Sequence, residues 1–159
     1  MPDVFVGAGS NADPVPRLRA GVQELTLRFG AVRCSSVYRG PALGATAAAD
    51  YWNLVVMLRT DMGLDALRAE LRAIEQLAGR QRADPAVVEL DLDLLLYGAR
   101  VDAARRLPRP GIYTLPFVVA PLCELAPDLA HPVTGERCRE ARSKLAAPEL
   151  RNAGALDAL

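Results

Sequence analysis

The sequence has few cysteines, no long hydrophobic run and no excess of charge of either sign. Its three cysteines are an odd number at spacings that match neither a zinc site nor a redox pair, so we expect free thiols in a cytoplasmic protein. No run approaches the roughly 18 apolar residues of a transmembrane helix, and we expect no membrane association. Nineteen basic side chains balance nineteen acidic ones, which argues against a nucleic-acid partner.

Histidine is also scarce, which limits the catalytic chemistry that the chain can carry. His131 is the only histidine, and it precedes a proline in a predicted turn. Ser10 has neither a nucleophile-elbow sequence nor a convincing histidine partner, so a serine hydrolase is not predicted. Nearly all the positive charge is arginine, since Lys144 is the only lysine. Arginines and carboxylates are therefore the main candidates for chemistry.

What is present is the composition of one folded domain. The chain has 159 residues, of which 51% are hydrophobic and 24% are charged, and this balance excludes general disorder. A domain of this length buries enough apolar surface to fold without a disulfide or a metal ion. We expect residues 1–159 to form a single, monomeric domain.

The first two thirds of the chain alternate between strand and helix patterns. Apolar residues at helical spacing predict helices that begin at Pro14, capped by Asp13, and at Leu64. β-rich runs predict four strands around these helices, at residues 4–8, 31–38, 51–60 and 90–97. The βαββαβ order is the ferredoxin-like arrangement of the α+β class, an antiparallel sheet with both helices on one face. Two more predicted helices, near residues 117–125 and 136–145, form a C-terminal helical extension.

The most informative run lies at residues 90–97, where leucine alternates with aspartate. Because side chains alternate along a strand, Asp91 and Asp93 share one face, about 7 Å apart at the backbone. Leucines occupy the opposite face, at positions 90, 92, 94 and 96, and predict a core. Two such carboxylates, together with phosphate and water, can hold Mg²⁺. A solvated strand face is the alternative.

Arg80 and Arg82 follow a helix that carries Glu75 and precede this acidic strand. Guanidinium groups match phosphate oxygens, so the two arginines are suited to a bound polyphosphate. The alternative is a basic helix end that complements the helix dipole. Beside the two aspartates, the arginines favour phosphoryl transfer, because metal carboxylates and arginines together are typical of that chemistry.

A polar amide and several aromatic rings are candidates for binding a heterocycle. Asn53 lies in an apolar strand, where its amide either reads the edge of a heterocycle or bonds a neighbouring loop. Core packing is the commoner fate of an aromatic ring, but four rings could stack on a ligand. They are Tyr51, Trp52, Tyr113 and Phe117.

Taken in order, these segments resemble the 6-hydroxymethyl-7,8-dihydropterin pyrophosphokinase family. The matching segments run in the family's order over about residues 4–133. They are VGAGSN (6–11), SSVYR (35–39), PALG (41–44), DYWN (50–53), IE (74–75), GRQR (79–82), LDLDLLLYG (90–98) and FVVAPLCELAPD (117–128).

The resemblance implies an activity in folate biosynthesis. Such enzymes move the two terminal phosphates of ATP, as one unit, to the hydroxymethyl group of the dihydropterin and release AMP. It also implies that Asp91 and Asp93 hold two Mg²⁺ ions that bridge the ATP phosphates. Two alternatives remain open at this point: a non-catalytic relative that binds a pterin or a nucleotide, and a transferase with an altered substrate.

The resemblance further assigns residues to the two substrates. For the pterin, the implied contacts include the backbone of a loop, formed by Gly40, Pro41 and Leu43, which recognises the edge of the ring. Tyr51 and Phe117 are implied to sandwich the ring, and the Asn53 amide to recognise it. For ATP, the implied contacts are Glu75, Arg80, Arg82 and Arg109, and the catalytic groups are Arg80, Arg82, Asp91 and Asp93.

The chain departs from the family pattern on the nucleotide side. The stretch at residues 84–89 is about two residues shorter than in the family, and it lacks the tryptophan. Val88 and Leu115 stand where arginines are expected, and Arg109 replaces a histidine. These departures predict weak nucleotide affinity and slow transfer, with pterin affinity spared.

Overall fold

The structure is a computed structural model that describes residues 1–41, 49–78 and 87–159. It contains strands and helices in the following order: β1 (Asp3–Ser10), α1 (Pro14–Phe29), β2 (Arg33–Cys34), β3 (Val37–Gly40), β4 (Tyr51–Arg59), α2 (Leu64–Leu77), β5 (Asp91–Tyr97), α3 (Pro116–Leu125), α4 (Cys138–Lys144) and β6 (Arg151–Gly154). Single turns of 3₁₀-helix lie at Ala103–Arg105 and Leu156–Ala158. Across these three ranges, no helix is both long and apolar enough to span a membrane.

The sheet is antiparallel and has the strand order β5-β1-β4-β3-β6, with β2 also paired to β4. Strand β1 therefore lies between β4 and β5. This arrangement confirms the predicted α+β class, and the order from β1 to β5 is the ferredoxin-like one.

The strand predicted at residues 31–38 is divided into β2 and β3 at Ser35. The backbone N–H of Ser35 donates to the carbonyl of Val55, and the Val55 N–H donates to the Ser35 hydroxyl, each at 2.9 Å. The hydroxyl takes the place of a backbone acceptor, so strand pairing is interrupted at this residue.

Helices α1 and α2 cover one face of the sheet, as predicted. Their buried side chains, among them Leu18, Leu25 and Leu71, pack on Val6 and Leu94 of the sheet. The predicted cap at Asp13 is wrong in its detail. Asp13 has a left-handed backbone (φ 50°) and its side chain makes no capping hydrogen bond, so α1 begins with Pro14.

Helices α3 and α4 lie on the opposite face, over a second core that includes Phe5 and Leu96. The position of Leu96 corrects the prediction that the leucines at 90, 92, 94 and 96 share one face. The pairing of β1 with β5 shifts between Phe5 and Val6. This irregularity turns Leu96 to the face of Leu95, while Leu92 and Leu94 keep the predicted side.

Strand β6 is an element that the sequence does not predict. It follows α4 and pairs with β3, so the C-terminal extension is helical only in part. The residues between α4 and β6 return to the face of the sheet that carries α3, where they reach the cavity described next.

Candidate functional site

A cavity of about 520 Å³ opens on the face of the sheet that carries α3. Strands β1, β4 and β5 form its base, the start of α3 forms one wall, and residues 146–150 form another. The cavity thus draws on the middle strands of the sheet and on the C-terminal segment, which are far apart in the sequence.

Strand β1 presents no side chain to the base of the cavity at two positions, because both are glycines. Gly9 pairs with Asn53 of β4 on one side and with Asp91 of β5 on the other. A Cβ atom at Gly9 would lie 2.7 Å from Asn53 Oδ1, closer than real side chains approach. Gly7 lines the cavity two residues earlier. This role is not among the predictions from sequence, although the alternation of glycine with Val6 and Ala8 is a pattern that indicates it.

Most of the residues expected to contact a pterin line this cavity. Tyr51 and Asn53 reach it from β4, Phe117 from α3, and Gly40 and Pro41 from the end of β3. Burial raises the pKa of Tyr51, and the negative charge of Asp91 raises it further, so the phenol stays neutral near neutral pH.

The other two aromatic candidates, Trp52 and Tyr113, do not line the cavity and pack against the two cores. Trp52 packs against the core under α1 and α2, and the Arg39 guanidinium lies over its ring at 5.6 Å. Tyr113 is buried in the second core, and its hydroxyl donates to the Leu129 carbonyl.

Asp91 and Asp93 also line the cavity, on the side of β5. Each is partly exposed. Among the described residues, no group of three or more histidine, cysteine, aspartate or glutamate side chains could hold a metal ion. Two carboxylates with room for phosphate and water are nevertheless the usual protein contribution to a Mg²⁺ site, so the donor set fits a metal that arrives with a nucleotide.

Glu75 lies behind β5 and does not line the cavity. Its side chain is buried, and Oε1 accepts a hydrogen bond from the backbone N–H of Leu92 at 2.8 Å. Leu92 separates the two aspartates, so the Glu75 carboxylate holds the strand at the point where both are displayed. Its expected contact with ATP stays a prediction.

Arg109 pairs with one of the two carboxylates. Its guanidinium forms an ion pair with Asp93, with Nη2 at 2.8 Å from Oδ2. Its backbone N–H donates to the Leu95 carbonyl at 2.9 Å, which ties this part of the chain to β5.

A second cavity of about 310 Å³ adjoins the first, and Asp93 and Arg109 line both. It is strongly basic, since three further arginines line it: Arg68 and Arg72 from α2, and Arg106. These three arginines are not among the predicted site residues. The spacing of four residues between Arg68 and Arg72, which puts both on one side of a helix, is the signal that could have found two of them.

Three predicted site residues, Leu43, Arg80 and Arg82, lie outside the described residues. The chain is described again from residue 87, and Val88 is tied to the end of β1. The Asn11 N–H donates to the Val88 carbonyl at 2.9 Å, the Val88 N–H donates to Asn11 Oδ1 at 2.7 Å, and the Ser10 hydroxyl donates to the Val88 carbonyl at 3.2 Å.

Leu115, which like Val88 stands where the family has an arginine, is a packing residue. Its side chain belongs to the second core and lies against Gly111, where an added Cβ would be 2.9 Å from Leu115 Cδ1. This position therefore presents no positive charge to the cavity.

Comparison with known proteins agrees with this geometry. Residues 5–127 match the family model described as 7,8-dihydro-6-hydroxymethylpterin-pyrophosphokinase (HPPK). A 2-amino-4-hydroxy-6-hydroxymethyldihydropteridine pyrophosphokinase of Synechocystis sp. is 42% identical over 137 residues, which cover 82% of this chain and 70% of that protein. The protein of the same name from Haemophilus influenzae is 34% identical, over 83% of this chain and 86% of its own length.

Solved structures agree in fold. The crystal structure of Plasmodium falciparum HPPK-DHPS matches with a TM-score of 0.71 at 10% identity, over 91% of this chain. This chain spans only 43% of that solved chain, and at this identity the likeness supports the fold alone. The family model and the curated relatives go further, and by them this chain belongs to the 7,8-dihydro-6-hydroxymethylpterin-pyrophosphokinase family.

Proposed function

We propose that this protein transfers the terminal diphosphate of ATP to the hydroxymethyl group of 6-hydroxymethyl-7,8-dihydropterin, with release of AMP. The activity belongs to folate biosynthesis. One observation carries the proposal: a single cavity is lined both by groups suited to a flat, polar heterocycle and by two carboxylates suited to a metal-bound polyphosphate. The reaction needs these two kinds of group side by side.

The pterin lies on the bare base of the cavity. Tyr51 and Phe117, which come from different elements, offer aromatic faces to the ring. The Asn53 amide has both donor and acceptor atoms and reads the polar edge of the ring. Gly9 leaves the space that the Asn53 side chain occupies.

The polyphosphate lies at the junction of the two cavities. Asp91 and Asp93 hold Mg²⁺ there, and we propose two ions. The metal, when bound, offsets the charge on the transferred group and acidifies the attacking hydroxyl. The arginines of the second cavity face the nucleotide, where guanidinium groups pair with phosphate oxygens.

The order of the strands brings the reacting groups together. Strand β1 separates β4 from β5, so Asn53 and Asp91 lie on strands about 10 Å apart. A bicyclic ring and its hydroxymethyl arm can bridge this distance. The hydroxyl oxygen then bonds to the β-phosphorus of ATP and loses its proton, and the bond from that phosphorus to the α–β bridging oxygen breaks. AMP leaves with the electron pair.

We propose further that residues 1–159 act as one monomeric domain in the cytoplasm. Support for a single unit comes from the sheet, whose two faces carry the two cores of the described chain.

The test is formation of AMP. The purified protein is incubated with ATP, Mg²⁺ and hydroxymethyl-dihydropterin, and the products are separated by chromatography. We expect one AMP for each pterin diphosphate, none without the pterin, and a loss of both products in Asp93→Asn. If calorimetry detects pterin binding but no AMP is formed, the protein is a binder and the proposal is wrong. Leu115, which leaves one expected arginine missing, is the observation that favours this second candidate.

A further inference from the structure

Arg109 forms an ion pair with a carboxylate that a metal ion would use. Its Nη2 lies 2.8 Å from Asp93 Oδ2, within the cavity wall that Asp91 also lines. A guanidinium group and a metal ion held by one carboxylate repel each other and share its negative charge, so the two compete even though each can contact a different oxygen. Metal binding at Asp93 therefore weakens this ion pair and favours its opening.

The ion pair is of a kind that can open. The side chains of Arg109 and Asp93 are 30% and 41% exposed, and ion pairs with this access to water contribute little to stability. The backbone of Arg109 nevertheless stays bonded to Leu95 of β5. A released side chain thus remains tethered beside Asp93.

The second cavity offers a released guanidinium group a place to bind an anion. Arg109 already lines it, together with Arg106 and the two arginines of α2. Without an anion, another free positive charge is unfavourable among these arginines. A bound polyphosphate reverses this balance, because its oxygens accept hydrogen bonds from guanidinium groups.

We propose that Arg109 is an exchangeable counterion of Asp93: it pairs with the carboxylate when no metal is bound, and it moves to the nucleotide phosphates when metal and nucleotide bind together. The proposal rests on the proposed function, in that it takes ATP as the ligand. The exchange makes metal binding and nucleotide binding cooperative through Arg109. When the metal binds alone, the ion pair between Arg109 and Asp93 is lost. When the nucleotide binds as well, a contact between Arg109 and its phosphates replaces that ion pair.

The exchange also bears on the two missing arginines. Val88 and Leu115 supply no positive charge, and Leu115 is packed into the second core. Arg109 delivers a guanidinium group to the same substrate from another part of the chain, but only after the metal has displaced it. Phosphate contact is thereby made conditional on metal binding.

The experiment compares Arg109→Met with Arg106→Met. Both changes remove one positive charge from the wall of the second cavity, but of these two described arginines Arg109 forms an ion pair with Asp93 and Arg106 does not. Binding of Mn²⁺ alone is measured by electron paramagnetic resonance, without nucleotide or pterin. Binding of a non-hydrolysable ATP analogue with Mg²⁺ is measured by calorimetry. An Asp91→Asn protein shows which Mn²⁺ signal belongs to this site.

We expect Arg109→Met to bind Mn²⁺ alone about 2- to 5-fold more tightly than the unmodified protein, because the competing ion pair is gone. The same variant should bind the metal–nucleotide analogue about 5- to 10-fold more weakly, so the cooperativity between the two ligands falls. Arg106→Met should weaken binding of the analogue and leave the affinity for Mn²⁺ alone unchanged.

Two results would overturn the exchange. One is an affinity for Mn²⁺ alone that is unchanged or lower in Arg109→Met. The other is an equal gain in both variants, which would reflect the general field of the arginines and not the ion pair. The Mn²⁺ measurement needs no turnover, so a protein that shows the exchange but forms no AMP would contradict the proposed function only.

Discussion

At the scale of single residues, the two carboxylates of β5 have different neighbours. Asp93 faces Arg109, whereas Asp91 lies close enough to Tyr51 to raise the pKa of its phenol. The two aspartates are therefore not equivalent before any ligand binds, and each can be tested separately.

Asp91→Asn and Asp93→Asn should each abolish most of the turnover. Each change removes an anionic metal ligand, which we expect to lower kcat at least about 100-fold, several kcal/mol of transition-state stabilisation. The melting temperature should stay close to that of the unmodified protein, because asparagine has the same shape and Leu92 and Leu94 are untouched. Steady-state AMP formation and circular dichroism provide the two measurements. Normal turnover of Asp93→Asn would contradict the metal assignment.

Gly9 and Asn53 should act as one unit in pterin binding. Asn53→Leu leaves a polar edge of the ligand unpaired, a loss of about 1–3 kcal/mol in pterin affinity. Gly9→Ala should weaken pterin binding too, because its Cβ would displace Asn53 Oδ1. Calorimetry on both variants and on the double variant completes the cycle.

The double variant is informative because Gly9→Ala should add little once Asn53 is leucine. The affinity for the metal–nucleotide analogue should not change in any of the three proteins. Fully additive losses would indicate that the alanine methyl blocks the ligand directly and does not act through Asn53.

At the scale of elements, the acidic strand illustrates what can be predicted from sequence. Its alternation correctly predicts that Leu92 and Leu94 face the first core. It fails at Leu96, because leucine suits either face and the shift of pairing opposite Phe5 leaves no mark in the sequence. The anchoring role of Glu75 is also invisible there, since the Leu92 N–H that it accepts is a backbone group.

Glu75→Ala should destabilise the fold through β5. The Leu92 N–H would lose its acceptor in a buried position, which we expect to lower the free energy of unfolding by about 1–3 kcal/mol. Glu75→Gln keeps an acceptor oxygen and is the matched control. Urea denaturation followed by fluorescence of the single tryptophan measures both. Equal destabilisation by alanine and glutamine would mean that the charge, and not the acceptor, is what the strand requires.

The C-terminal segment should contribute to selection of the heterocycle. Leu150 lies against Gly40, where an added Cβ would be 3.3 Å from Leu150 Cδ1, and both residues line the first cavity. Leu150→Ala should raise the KM for the pterin by a factor of about 5, the equivalent of about 1 kcal/mol of apolar contact. Leu159→Ala, which changes a half-exposed leucine outside the cavity wall, is the control. Equal KM values for the two variants would exclude the segment from recognition.

At the scale of the whole molecule, the sequence predicts the sheet and its first layer better than its second. The helices α1 and α2 have regular apolar spacing, and their face is predicted correctly. Strand β6 has the sequence Arg-Asn-Ala-Gly, which lacks apolar alternation, and it forms because β3 offers a free edge. The two cavities depend on such long-range pairing, so their walls could be predicted only in part.

The second core should make the protein sensitive to alkali. Burial raises the pKa of the Cys138 thiol and of the Tyr113 phenol above their ordinary values. The folded state thus keeps protons that the unfolded state loses once the pH exceeds the ordinary thiol value of 9.0. The contribution of these two groups to the free energy of unfolding should be constant below about pH 9 and fall above it, by up to about 1.4 kcal/mol per pH unit for each group.

Urea denaturation from pH 7 to 11 measures this dependence, and Cys138→Ala is the comparison. The variant should be somewhat less stable near neutral pH, because a buried side chain is shortened. Its stability should then fall less steeply above about pH 9. Parallel curves for the two proteins would show that the thiol does not contribute.

Strand β5 is an edge strand of the sheet, and this position also bears on solubility. An edge strand offers backbone groups with which a strand of another molecule can pair, and proteins commonly prevent such aggregation with charged side chains. Asp91, Asp93 and the paired Arg109 place three charges on or beside this edge strand. Two backbone groups of this edge are also occupied already, the Leu92 N–H by Glu75 and the Leu95 carbonyl by the Arg109 N–H. The contacts that position the cavity therefore also reduce the number of backbone groups that a second molecule could pair with.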